Sequence, residues 1–192
     1  MVEPARRRAP RADAQVNRTR ILDVAEEVFG AGGEAASTEE VARLAGVGIA
    51  TVFRHYPTKA ALLEAVLVRR FTRLRERAET QLSAGDAGRA FYDFFGDLVT
   101  DAATKIAIGD ALLDAGGAHE SVTEASQGLR RAVGKLLDRA QRAGAVRDDV
   151  ELPEVYALLV GTSRAAAHAA LDDEVRARVL AIVYDGLAPL PR

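Results

Sequence analysis

Apolar residues recur at intervals of three and four along almost the whole chain, and this helical period restricts the fold more than any other feature. In the segment 18–31, one helical face holds Ile21, Leu22, Ala25, Val28 and Phe29. Alternating strand patterns are lacking, alanine is abundant, and prolines lie at the ends of segments. The sequence therefore predicts an all-α protein.

Glycines and prolines divide this pattern into about nine predicted helices. Gly32 and Gly33 end the first helix, and Pro57 closes the third. The predicted helices cover residues 18–31, 37–45, 48–56, 58–81, 90–99, 103–115, 120–143, 153–169 and 172–187. Three helices at the N-terminus thus precede six that can form a bundle.

Composition excludes several classes of protein. The chain has 192 residues, of which 48% are apolar, and this is enough for a sizeable core. It contains no uncharged apolar run of 18 residues, so a transmembrane helix is not expected. Its N-terminal arginines are not followed by the apolar stretch of a secretory signal. Cysteine is absent, which excludes disulfides, thiolate zinc sites and cysteine nucleophiles. We therefore expect a cytoplasmic protein.

Positive charge is concentrated in the first 20 residues, although the whole chain carries a formal charge of −2. This segment holds six arginines against Glu3 and Asp13. We predict a flexible basic arm over residues 1–17. The arm is either a solvated tail or a contact to the minor groove or phosphates of DNA, made through Arg6, Arg7, Arg8 and Arg11.

The segment 37–56 has the pattern of two short helices joined by a tight turn. Ser37 and Glu40 form a Ser-x-x-Glu capping box at the start of the first of these helices. Gly46 permits the positive φ that the turn needs. Such a helix-turn-helix can place its second helix in the major groove of DNA, which is about 12 Å wide. The alternative is a purely structural pair of helices.

The second helix of this motif mixes small, aromatic and basic residues, and it has no neighbouring carboxylates to pair with them. Its N-terminal amides favour a phosphate or a base edge, and Gly48 and Ala50 are small enough for a close approach to DNA. Ile49 can contact a thymine methyl group, and Arg54 can form two hydrogen bonds to a guanine. Phosphate contacts are predicted for Thr51, His55 and Lys59.

Residues 18–63 resemble the DNA-binding domain of the TetR family of bacterial regulators. The matching stretches are ILDVAEEVFGAGG at 21–33 and STEEVARLAGVGIATVFRHYPTKAALL at 37–63. The resemblance implies that Ile49, Ala50 and Arg54 lie nearest the base edges. It further implies contacts to the DNA backbone from Ser37, Thr38, Thr51, Phe53, His55 and Lys59.

Two residues depart from the family pattern. Gly48 stands where a serine or threonine is common, and Phe53 stands where a tyrosine is usual. Each departure removes a hydroxyl group that would contact phosphate. We therefore expect weaker anchoring to the DNA backbone, which the arginine arm would partly offset.

The remainder of the chain resembles the family in its helical content and length, so the predicted domains are 18–63 for DNA binding and 64–192 for ligand binding and dimerisation. The resemblance implies a ligand cavity among the fourth to eighth helices. Its candidate lining residues are Phe71, Phe91, Phe94, Phe95, Leu112, Leu129, Arg164 and His168. The alternative role of the three phenylalanines at 91–95 is plain core, and that of Arg164 and His168 is an interface contact.

The last two predicted helices carry a candidate dimer interface. Small residues share one face of the segment 153–169, where they allow close packing of helices, and apolar residues share one face of the last helix. The predicted interface residues are Ala157, Gly161, Ala165, Val175, Val179, Ile182 and Val183.

These features favour a ligand-responsive, homodimeric regulator of transcription, expected to be a repressor that a small molecule releases from palindromic double-stranded DNA. An architectural or ligand-independent DNA-binding protein is the alternative, although a net charge of −2 is low for that class. An enzyme is a distant third, because the chain has no nucleophile–base–acid set and no glycine-rich phosphate loop. No cofactor and no membrane partner are expected. No metal site is expected either, since His119 and Glu120 lack further ligands.

Overall fold

The computed structural model describes residues 10–32, 35–116, 120–168 and 172–189. In these ranges the chain forms eight α-helices and no strand, which confirms the all-α prediction. The helices are α1 (Pro10–Gly32), α2 (Thr38–Leu44), α3 (Ile49–His55), α4 (Lys59–Gln81), α5 (Ala87–Asp114), α6 (Glu120–Arg142), α7 (Leu152–His168) and α8 (Asp173–Leu187).

Helix α1 begins eight residues before the predicted start at residue 18. Proline suits the first position of a helix, because its fixed φ is helical and no hydrogen bond is lost there. The alanines and the glutamine that follow Pro10 also favour a helix. The second half of the predicted flexible arm is therefore helical. The arginines at 6–8 lie outside the described residues, and so does the side chain of Arg11.

Helix α5 is continuous where two helices, 90–99 and 103–115, were predicted. The intervening residues 100–102 contain neither glycine nor proline, so nothing in them interrupts the hydrogen-bond ladder. The glycines at 96 and 109 lie inside the helix, at a cost of about 1 kcal/mol each relative to alanine. The described residues therefore contain eight helices, one fewer than the nine predicted, because these two segments form a single helix.

The described residues divide into two compact units. The first extends to Val66 and includes the segment of α5 from Ala107 onward. Its core contains fully buried apolar side chains from four helices, namely Ile21, Ala25, Phe29, Val41, Val52, Leu62, Leu63 and Val66. This unit contains the predicted helix-turn-helix.

The second unit comprises Leu67–Ile106 and the chain from α6 onward. Its core is built from the inner stripes of α4 to α7, including Phe91, Phe94, Leu136 and Leu137. Helix α8 is joined to this unit by polar contacts. The hydroxyl group of Tyr184 donates a hydrogen bond to the Tyr92 carbonyl (2.9 Å), and the Arg147 amide donates to the Leu187 carbonyl (2.9 Å).

Among the helices that the structure describes, none is long and apolar enough to cross a membrane.

Candidate functional site

Local hydrogen bonds build the turn between α2 and α3. The Ser37 hydroxyl accepts from the Glu40 amide (3.1 Å) and so caps α2. The Glu40 carboxylate does not complete the capping box but lies 3.8 Å from the Arg43 guanidinium. At the other end, Gly46 has a φ of 62°, and the Val47 amide donates to the Ala42 carbonyl (3.0 Å). This geometry defines a helix-turn-helix unit.

The inner face of α3 is held by two buried side chains. Val52 is fully buried, and Tyr56, which ends the helix, is 3% exposed. The Tyr56 hydroxyl accepts a hydrogen bond from the Arg18 guanidinium (3.4 Å), which ties α3 to α1. Lys59 extends its ammonium group over the Phe29 ring, 5.5 Å from its centroid. Together these contacts fix the orientation of α3 within its unit.

The outer face of α3 is exposed and carries the predicted DNA-reading residues. Ile49 is 37% exposed and Phe53 is 41% exposed, so this face presents two large apolar side chains to a partner. Ala50 and Arg54 are also exposed. The Arg54 guanidinium donates to the Thr51 hydroxyl (3.4 Å), so the two polar side chains lie side by side.

The other predicted DNA contacts differ in accessibility. Ser37, Thr51, His55 and Lys59 are half-buried, whereas Gly48 is exposed. Thr38 is only 6% exposed and belongs to the buried face of α2. The family resemblance implied a contact from Thr38 to the DNA backbone, but its side chain offers little surface to a partner.

Gly48 is the N-cap of α3 and makes no side-chain capping bond. Its φ of −67° and ψ of 144° are open to any L-residue, and a Cβ built there meets no atom within 4 Å. Nothing in the fold of the described chain therefore requires glycine at this position.

The second unit contains a cavity of about 490 Å³ between α4, α5, α6 and α7. Its described lining is Phe71, Leu74, Leu98, Asp101, Lys105, Ile106, Thr123, Ser126, Gln127, Leu129, Arg130, Tyr156, Leu159, Val160, Ser163 and Arg164. Three of the predicted cavity residues, Phe71, Leu129 and Arg164, are in this set.

Four other predicted cavity residues are core residues that do not line this cavity. Phe91, Phe94 and Phe95 are each 2% exposed, and Leu112 is 5% exposed. Phe95 packs edge-on against Tyr184, with ring centroids 5.9 Å apart, because α8 covers that face of α5. The alternative role of these phenylalanines as plain core is the one observed. The side chain of His168 lies outside the described residues.

Apart from Arg164, sequence reasoning missed the polar lining of the cavity. Asp101 and Lys105 lie four residues apart on α5, and Arg130 lies on α6 with its guanidinium carbon 4.5 Å from the Tyr156 ring centroid. The i, i+4 spacing of Asp101 and Lys105 could have indicated a polar group in the cavity. The same spacing is equally typical of the solvent-exposed face of a helix, so it does not predict a cavity by itself.

The predicted dimer residues lie on α7 and α8, which contact each other. Ile182 is 70% exposed and Val175 is 42% exposed, and Ala157, Gly161 and Ala165 are exposed on α7. Val179 and Val183 are half-buried. Leu158 and Val160 add further exposed apolar surface to α7.

Within the described ranges, no group of three or more histidine, aspartate or glutamate side chains is arranged to hold a metal ion. His119 lies outside those ranges.

Comparisons with known proteins agree with this geometry. Residues 21–66 match the family described as bacterial regulatory proteins, tetR family. Residues 86–189 match the family described as the C-terminal domain of SbtR-like transcriptional regulators. No curated protein gives a significant match to the chain.

Some solved structures resemble this chain over almost its full length. A TetR transcription regulatory protein from Mycobacterium vanbaalenii is 39% identical with a TM-score of 0.76, and the match covers 94% of this chain and 99% of that one. A TetR transcriptional regulator from Streptomyces coelicolor is 30% identical with a TM-score of 0.74, covering 91% and 99%.

The chain therefore belongs to the TetR family of bacterial transcriptional regulators, which bind DNA through a helix-turn-helix. The family evidence points to the regulation of transcription and not to catalysis.

Proposed function

We propose that the protein is a homodimeric repressor that binds a palindromic operator and is released from it by a small molecule. The observation that carries this proposal is the outer face of α3. Ile49, Phe53 and Arg54 are exposed on a helix whose opposite side is anchored by Val52 and Tyr56. An apolar and basic surface on a rigidly held helix suits the major groove, where thymine methyl groups and guanine edges are exposed.

Contacts to phosphate would position this helix in the groove. Thr51 and Arg54 lie together, so a phosphate bound by the Thr51 hydroxyl would also approach the Arg54 guanidinium. His55 is the last residue of α3 and Lys59 is the first residue of α4, and their hydrogen-bonding capacity or positive charge suits the DNA backbone. The Ser37 hydroxyl oxygen accepts a hydrogen bond from the Glu40 amide as the cap of α2. Its hydroxyl hydrogen would donate to the DNA backbone.

The exposed apolar face of α7 and α8 supports a homodimer. A second copy of the chain is the occupant that fits best, because small residues on α7 allow two symmetry-related helices to approach closely. A palindromic operator read one helical turn apart, at about 34–36 Å, requires such a two-fold pair.

The cavity in the second unit supports control by a ligand. Its volume of about 490 Å³ lies within the range of sites that bury drug-sized molecules. The dimer would have one conformation whose two α3 helices fit successive major grooves and another whose helices do not. A ligand that binds the second conformation more tightly would shift the population away from the DNA-bound form. An architectural DNA-binding protein has no use for such a cavity, so the cavity favours the regulator.

The Arg54→Ala variant tests the DNA-reading role of α3. We expect the specific operator to be bound about 10–100-fold more weakly, since a bidentate contact to guanine contributes about 1–3 kcal/mol of discrimination. Binding to random-sequence DNA should change far less. Selection from a randomised DNA pool, followed by titration of the selected and scrambled sequences, measures both quantities. The matched control is Arg89→Ala, on an exposed arginine of α5 in the second unit. An unchanged sequence preference for Arg54→Ala would remove Arg54 from the reading surface.

The Gly48→Ser variant tests whether the chain lacks a phosphate contact there. The hydroxyl group has open space, and it would both cap α3 and donate to a phosphate. We expect affinity for operator DNA to rise roughly three- to tenfold, since a charge-assisted hydrogen bond contributes about 1 kcal/mol or more. Stability should rise by only a few tenths of a kcal/mol, because glycine is itself an acceptable N-cap. Gly48→Ala is the control for the added Cβ alone, and an equal gain in affinity from alanine would contradict the phosphate contact.

A further inference from the structure

The cavity of the second unit has a surplus of positive charge. Its lining includes the cations Lys105, Arg130 and Arg164 but a single described anion, Asp101. That anion is already engaged by Arg70, whose Nε donates to one carboxylate oxygen (2.9 Å) and whose terminal nitrogen contacts the other. Arg70 is itself 6% exposed and does not line the cavity. Asp101 is therefore shared between Arg70, which it contacts directly, and Lys105, whose charge it also stabilises, so one anion serves several cations.

Lys105 lies in an environment that disfavours its charge. Its ammonium group is 5.5 Å from the centroid of the Phe71 ring, and this cation–π contact offsets only part of the cost of its burial. Burial is the main cause that lowers the pKa of Lys105; Asp101 raises it in part, and Arg70 and Arg164 lower it by smaller amounts. An anion placed beside Lys105 would relieve this repulsion.

Lys105 on α5 and Arg164 on α7 both line the cavity, and the charge of Arg164 acts on Lys105 by lowering its pKa. We take these two cations as the basic end of the cavity.

Arg130 and Tyr156 provide a separate polar group. The Arg130 guanidinium lies against the Tyr156 ring, which holds its plane in place. Burial raises the pKa of Tyr156 to about 12, so its phenol is neutral at physiological pH and remains a hydrogen-bond donor. Asp101 is the one carboxylate in the described lining, so no other lining carboxylate is available to pair with Arg130.

The remaining wall is mainly apolar, with Thr123, Ser126, Gln127 and Ser163 as its uncharged polar members. Leu74, Leu98, Leu129, Leu159 and Val160 contribute aliphatic surface, and Phe71 contributes an aromatic face. A ligand that fills this cavity therefore needs an apolar body as well as a polar head group, because a small hydrated ion such as phosphate would leave the apolar part of the wall without a partner.

We propose that this cavity binds an amphipathic organic anion, namely a carboxylate joined to an aromatic or alkyl body. The carboxylate lies at the basic end formed by Lys105 and Arg164, and the body packs against the leucines and Phe71. The proposal rests on the proposed function in one respect, because it names the chemical class of the ligand that would release the repressor from DNA.

Direct binding tests the ligand class without DNA. The full-length protein is titrated by calorimetry with 4-phenylbutyrate, 4-phenyl-1-butanol and 4-phenylbutylamine, which share a body and differ in the head group. A second series, decanoate, 1-decanol and decylamine, supplies a flexible body. In at least one series we expect the acid to bind at least about tenfold more tightly than the alcohol and the amine. Equal or tighter binding of the alcohol or the amine, or no binding of either acid, would overturn the proposal.

The Lys105→Met variant locates the head group. Methionine keeps most of the side-chain length but removes the charge, so acid binding should weaken at least about tenfold while alcohol binding is retained or strengthened. The ligand-free variant should melt at the same temperature as the wild-type protein or higher, because a buried and repelled charge has been removed. Lys135→Met, on the exposed face of α6, is the matched control and should bind the acid as the wild-type protein does. An acid affinity of Lys105→Met equal to that of the wild-type protein would contradict the placement.

Release of selected operator DNA separates the two proposals. Acid that binds in calorimetry and leaves DNA affinity unchanged supports the ligand class but overturns control by ligand. Release of DNA by alcohols or amines and not by acids supports control by ligand but overturns the ligand class.

Discussion

A glutamate in place of Ile182 is expected to convert the protein from a dimer to a monomer and to reduce operator affinity by two orders of magnitude or more. Ile182 is 70% exposed in the single chain and shares a face of α8 with Val175 and Val179. In the proposed dimer, the new carboxylate would be buried in apolar surface, which costs several kcal/mol. Separate subunits also lose the gain of about 10²–10⁴ in affinity that two linked half-site contacts provide.

Ala177→Glu provides the matched control for this change. Ala177 is exposed on the same helix but lies about 140° around its axis from Ile182, at 100° per residue. It adds the same charge to α8 without placing it on the proposed interface. Sedimentation velocity measures the oligomeric state, and titration of full-site and half-site DNA measures the two affinities. A dimeric Ile182→Glu protein with full operator affinity would place the dimer interface elsewhere.

The Asp101→Ala substitution is expected to lower the free energy of unfolding by about 3 kcal/mol, because a buried cation loses its partner. Arg70 is 6% exposed, and both oxygens of the Asp101 carboxylate contact its guanidinium. The Asp101 backbone carbonyl also accepts from Arg70 (2.9 Å), and this bond survives the substitution. Lys105 loses its neighbouring anion as well, which adds to the cost.

A second ion pair between α4 and α5 offers an internal control. Arg77 and Asp97 contact each other with 55% and 43% of their side chains exposed, so Asp97→Ala should cost less than about 1 kcal/mol. The double variant Arg70→Met/Asp101→Ala should recover much of the lost stability, since it removes the buried cation together with the carboxylate. Urea denaturation at pH 7 measures all three variants. Equal losses for Asp101→Ala and Asp97→Ala would show that burial of Arg70 does not govern the effect.

The helix-turn-helix was predictable because its determinants are local. The cap at Ser37, the turn at Gly46 and the stop at Pro57 lie within about 20 residues, and each acts through backbone geometry that a sequence pattern can express. The start of α1 at Pro10 was also encoded locally, but a cluster of arginines suggested a flexible arm.

The cavity was less predictable because it depends on which helix faces converge. Phe91, Phe94 and Phe95 have the periodicity of a cavity wall and of a core equally, and only the packing of Tyr184 against Phe95 distinguishes the two. Lys105 and Arg164 are 59 positions apart in the sequence, so no spacing rule connects them. Their shared contribution to one cavity follows from the tertiary arrangement of α5 and α7.

The uncapped start of α3 has a kinetic consequence. Affinity differences between related complexes arise mainly from dissociation rates, so we expect a recognition helix that lacks hydroxyl groups at positions 48 and 53 to leave DNA sooner than one that has them. For a repressor, a short residence time means that promoter occupancy tracks the concentration of competent dimer closely. Transcription can then resume soon after a signal arrives, because each bound dimer departs unaided and the signal has only to prevent its return.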